Sequence, residues 1–182
     1  MRADALAEAE TKRQELEGEG MGRRMDLTNV DCALGRLVWN LWSLEWMLRN
    51  VLYLLKRPPH TELSHPEALF AAKTGDRFPE NALTSYASLG PMIDAYNESA
   101  KTPIDRSLVA LRDTIAHGRI LAKDDASQHF VLVKFTRPDG SGDVRVETSY
   151  ELTFDWMNDQ IARVGDSLDL VKARYHELKG SP

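Results

Sequence analysis

Residues 108–118 hold the side chains of this 182-residue chain whose types and spacing combine into chemistry: Arg112, Asp113 and His117. On a helix Asp113 and His117 stand one turn apart, so the carboxylate can accept the imidazole N–H and set its tautomer. The negative end of the helix dipole near His117 favours the imidazolium. Together they make a poised acid/base. Arg112 adds a planar guanidinium fork of the shape that holds a phosphate. Arg112 and His117 are five positions apart, roughly 140° around an ideal helix, so they converge poorly on a ligand held by this helix alone. A second helix, or a second copy of this one, is the remedy, and Val109, Ala110 and Ala116 are small enough to let it approach.

The elements that must position these groups follow from periodicity and stop signals. Thr102, Pro103 and Asp105 read as a helix start and Gly118 as its end, predicting a helix over 103–117. Ile104, Leu108, Leu111 and Ile115 form its core face. Arg106, Asp113 and His117 lie on the outer face, with Arg112 on the flank. A longer helix is predicted over 26–56, with Leu34, Val38, Leu41, Glu45, Leu48, Leu52 and Leu55 as its seam. Trp39, Trp42, Trp46 and Tyr53 run beside that seam and are expected to pack rather than stack bases. A carboxylate in the seam must be neutral or paired, and Glu45 has Arg49 as its local partner and Arg112 as its long-range one.

Arg57, Pro58 and Pro59 end this helix. His60, Glu62 and His65 follow in a loop without a metal-binding frame, so no metal site is assigned. A short helix over 66–73, a break at 74–76 and a helix over 91–101 with Ile93, Tyr96 and Ala100 buried lead into the motif. Pro91 alternatively interrupts a longer helix starting near Ala82. Beyond Gly118, residues 128–149 read as a β-hairpin: an apolar run at 130–135, turn residues at 137–142 and alternation at 144–147. Ile120, Leu121 and Ala122 form a candidate third strand. Thr153 opens a last helix, to 179, whose seam is Met157, Ile161, Val164, Leu168, Val171, Tyr175 and Leu178. Residues 1–25 have little to bury and are expected to form an exposed segment in which Arg23 and Arg24 are solvated. The fold class is mainly α: an antiparallel helical bundle in one domain, 26–182, with a small hairpin between the motif helix and the C-terminal helix.

A net charge of −5 argues against broad affinity for nucleic acid but leaves room for a local arginine cluster. The single Cys32 fits a reducing compartment, and no charged-then-apolar leader opens the chain, so a cytoplasmic location is expected. The most apolar run, 37–55, contains Asn40, Glu45, Arg49 and Asn50 and reads as a buried helix rather than a membrane span. No Gly-rich phosphate loop or CxxC pair is present, and no cofactor is expected.

The run from Arg112 to Gly118 resembles the HEPN family (higher eukaryotes and prokaryotes nucleotide-binding domain), whose signature is an Arg, a polar residue and a His four to six residues beyond the Arg. The resemblance covers roughly residues 28–118, with a Leu- and Trp-rich helix upstream and the motif on a later helix. It implies a helical bundle and metal-independent RNA cleavage at a site shared by two protomers, as in toxin and defence ribonucleases. Many members are instead inactive modules that bind RNA, nucleotide or a partner protein. Toxin members paired with a nucleotidyltransferase antitoxin often carry a Tyr two residues after the His, where this chain has Arg119. On this reading Arg112, His117 and Asp113 are catalytic; from their charge and their place beside the motif Arg106, Arg119, Lys134 and Arg145 are candidate RNA contacts, and from its seam position Glu45 is expected to form a structural ion pair with Arg49. The expected partners are a second copy, RNA, and an antitoxin or other protein, with no membrane.

Overall fold

A computed structural model describes residues 27–56, 69–122 and 129–180. They form a mainly helical protein with a small antiparallel sheet, in the order α1 (Leu27–Lys56), α2 (Leu89–Ser99), α3 (Leu108–His117), β1 (Arg119–Ala122), β2 (Phe130–Phe135), β3 (Val146–Glu151) and α4 (Phe154–Gly180). The chain divides into two compact units, Gly35–His117 with Gln160–Pro182, and Gly118–Asp159 with the chain up to Leu34. Among the described residues no helix is long and apolar enough to cross a membrane. The expected segment 1–25, the loop histidines His60 and His65 with Glu62, and residues 66–68 of the expected short helix over 66–73 lie outside the described residues; of residues 69–73 only 69–70 are helical, so that helix stops short of its expected end.

The helical unit is built on a buried set from each helix: Leu37, Leu41, Leu44, Leu48 and Val51 of α1, Leu89, Met92, Ile93 and Tyr96 of α2, Leu108 and Leu111 of α3, and Ile161, Val164, Leu168 and Val171 of α4. The α1 seam therefore differs in phase from the sequence expectation. Leu41, Leu48 and Leu52 are buried as expected, but Leu37 and Leu44 take the places assigned to Leu34 and Val38, which are half-exposed. Because α1 is apolar over much of its circumference, its period determines spacing but not which stripe faces inward. The tryptophans are the second correction: Trp39 is 66% and Trp42 63% exposed, so they do not pack into the core. Of the three tryptophans on α1, Trp46 is half-buried, as is Tyr53, and the Trp46 ring lies 6.2 Å from that of Phe70.

Two helix starts differ from expectation for local reasons. Pro91 falls in the first turn of α2, where an N–H has no intrahelical partner, so the helix begins at Leu89 and passes through it. α3 begins five residues later than predicted. The Asn97 side chain accepts the Ile104 N–H and donates to the Ile104 carbonyl, both at 2.9 Å, holding Ile104 outside the helix. Asp105 then takes the capping role assigned to Thr102, its carboxylate accepting the Ser107 N–H at 2.8 Å and its carbonyl the Leu108 N–H at 3.3 Å. Thr153 caps α4 as expected, accepting the Trp156 N–H at 3.1 Å.

In the sheet unit β2 is central, pairing antiparallel with β1 (Arg119 opposite Val133) and with β3 (Val131 opposite Glu151). The third strand is therefore real. The turn is longer than expected, with Asp139 accepting from the Ser141 and Asp143 N–H groups and Gly142 at φ +87°. β3 accordingly starts at Val146 rather than 144 and runs to Glu151.

Candidate active site

The short helix α3 is anchored by Leu108, Leu111 and Thr114, all buried, and this sets the direction of the remaining side chains. Ala110, Ala116 and His117 are exposed, and Val109, Arg112, Asp113 and Ile115 half-buried. Thr114 satisfies its hydroxyl by donating to the Ala110 carbonyl at 2.8 Å, a bond that keeps a polar group harmless in the core.

Arg112 donates through Nε to Glu45 Oε1 at 3.1 Å. The Glu45 side chain is 18% exposed and that of Arg112 40%. Glu45 is thus largely withdrawn from water and compensated by Arg112, the long-range of the two partners considered. Arg49, the local one, turns elsewhere and donates to the carbonyls of Ser85 and Ala87 at 2.8 Å each. Those carbonyls belong to an irregular segment with no helix ladder to satisfy them, which is why the guanidinium is drawn there. The Glu45–Arg49 ion pair is corrected accordingly. A guanidinium has five N–H donors, and Glu45 engages one. The remaining Nη1 and Nη2 donors of Arg112 make no hydrogen bond among the described residues.

Asp113 Oδ1 and His117 Nε2 are 3.5 Å apart, with side chains 40% and 64% exposed. That is ion-pair range for an imidazolium rather than a tight hydrogen bond. With Nε2 turned to Asp113, Nδ1 is the nitrogen left to exchange a proton with a ligand.

The four residues expected to contact RNA are not equivalent. Arg106 is clamped by Asp94, with Nε and Nη2 donating at 2.7 and 3.1 Å. This pairing holds the Asp94 carboxyl below its ordinary value and raises Arg106. Lys134 is only 15% exposed and lies 2.8 Å from Glu147, so a phosphate would have to displace that carboxylate. Arg119 is exposed, with its guanidinium 5.7 Å from the centre of the Phe135 ring, and Arg145 is exposed. Arg119, Lys134 and Arg145 belong to the sheet unit, and Arg106 to the helical unit with Arg112 and His117. Among the described residues no three His, Cys, Asp or Glu side chains gather as a metal site.

Arg112 also lines a shallow groove of about 240 Å³ with Val38, Leu41, Trp42, Ile115 and Ala116. Trp42 is the lining residue that sequence reasoning misses. Its signal is the i, i+3 aromatic spacing with Trp39, but such a row beside a core stripe reads as packing. The chain matches no protein-family model, no curated protein and no solved structure.

Proposed function

We propose that the chain is a metal-independent endoribonuclease of the HEPN kind, working as a homodimer. The observation that supports this reading best is the pairing on α3 of a solvent-facing His117, backed by Asp113, with an Arg112 whose fork is steadied by Glu45 and whose Nη groups make no hydrogen bond among the described residues. In the reaction, the O2′ of a ribose attacks the adjoining phosphorus as His117 removes its proton. The bond from phosphorus to the 5′ oxygen breaks, and that oxygen takes a proton from a second, protonated His117. The products are a 2′,3′-cyclic phosphate and a 5′ hydroxyl. Arg112 stabilises the extra negative charge on the phosphoryl oxygens, the task a metal would otherwise perform. Two histidines and an arginine aimed at one phosphate require two copies of α3, given the roughly 140° between Arg112 and His117 on one helix. The exposed Ala110 and Ala116 leave room for the second copy to approach.

The test is incubation of the pure chain with mixed RNA in EDTA. Cleavage with cyclic-phosphate ends is expected, reduced about 10²–10⁴-fold by His117→Ala. Heterodimers of the wild-type chain with His117→Ala, which hold one histidine, should be inactive, whereas those with Arg112→Ala, which keep two histidines and one arginine, should retain cleavage. Binding without cleavage would assign the chain to the inactive RNA-binding members instead, and a monomer at micromolar concentration would remove the shared site.

A further inference from the structure

The functional reading above uses the guanidinium of Arg112 and leaves unexplained the groove that it lines. That groove is apolar apart from Arg112 and is bounded by Trp42, whose indole is 63% exposed although it stands on the same helix as the buried core stripe. An exposed indole next to a guanidinium whose Nη donors make no hydrogen bond among the described residues matches the two chemistries of one nucleotide, a flat aromatic base and a phosphate. Every base offers a π face to stack on, and the charge stays with the phosphate. The acidic total charge of the chain makes such a local site the more telling, because long-range attraction to a polyanion is not supplied.

Resting on the RNA-directed reading of this site, we propose that Trp42 is its base-stacking platform: a nucleobase of single-stranded RNA lies against the indole in the groove while the adjoining phosphate takes the Nη donors of Arg112. The substrate class is then unpaired RNA, since a base held in a duplex stack cannot present its face to Trp42. Trp39 is the natural control. It is as exposed as Trp42, at 66%, and stands one turn away, but it does not line the groove.

The experiment measures fluorescence anisotropy of a labelled single-stranded oligoribonucleotide against the full chain carrying His117→Ala, so that binding is read without cleavage. Trp42→Ala is expected to weaken binding about tenfold, within the range of one base–aromatic stack, with Trp42→Phe restoring most of it and Trp39→Ala within about twofold of the parent. A duplex of the same sequence should bind more weakly than the single strand. Equal losses from Trp39→Ala and Trp42→Ala, no preference for the single strand, or no binding at all would overturn the proposal. So would sedimentation showing that Trp42→Ala dissociates a dimer, because the face would then belong to a second copy. Wild-type cleavage in EDTA that is insensitive to Trp42→Ala would leave the nuclease reading standing and remove the platform. Trp42-dependent binding without any cleavage by the wild-type chain would do the reverse.

Discussion

Arg112 and His117 stand on the same helix but are held from different places. Arg112 is fixed from outside α3 by Glu45 of α1, a carboxylate 18% exposed, whereas His117 meets Asp113 of its own helix at 3.5 Å with both side chains well wetted. The first pair exists only if two elements far apart in sequence are docked. The second needs only helical backbone. Arg112 is therefore positioned by the tertiary fold, whereas His117 is positioned by its own helix and stays close to water.

The contrast between the two pairs is broken most directly at Glu45. Glu45→Ala strands a half-buried guanidinium and should lower the unfolding free energy by about 1–3 kcal/mol, less than the full cost of a broken buried pair because Arg112 keeps some contact with water. Urea unfolding measures it, and a loss under about 0.5 kcal/mol would show that the pair adds nothing beyond an exposed one. An intermediate case is Asp105, which reaches across the fold to Arg163 at 2.7 Å but is 55% exposed. Hydrogen bonds from the Ser107 side chain and backbone, then from Arg163, lower its pKa to about 2. Because the folded value lies below the unfolded one of about 4, its contribution is fully present above pH ~4 and lost as the pH falls toward 2. Solvent screening keeps that contribution below about 1 kcal/mol. Asp105→Asn should therefore flatten the loss of stability between about pH 4 and pH 2, as followed by urea midpoints. An unchanged slope would mean that other carboxylates govern acid unfolding. The smallest effect is expected at Asp113: Asp113→Asn should change stability by less than about 0.5 kcal/mol, as followed by urea midpoints, since both side chains of its pair are well wetted. A larger loss would show that the pair contributes more than an exposed one.

Tertiary reach and burial are separable in these three pairs, and the same distinction divides the features that residue order carries from those it does not. The Thr153 cap, the end of α1 at Lys56 and the one-turn spacing of Asp113 and His117 are local. Each depends on a few neighbouring residues and on the 3.6-residue period, and each is legible in the amino-acid sequence. The start of α3 is legible only in part. Asp105 is recognisable as a first-turn acid, but the Asn97 amide that holds Ile104 outside the helix comes from seven residues away, in another helix.

For the candidate site, the amino-acid sequence by itself determined that Arg112, Asp113 and His117 share a helix and that Glu45 needs a cation. Only the tertiary structure decided which cation, because Arg49 and Arg112 are both chemically suitable and the carbonyls of Ser85 and Ala87 draw Arg49 away. It also decided that Trp39 and Trp42 face solvent. α1 is apolar around most of its circumference, so several phases bury comparable apolar area, and the choice among them belongs to the surfaces of the helices that pack against it.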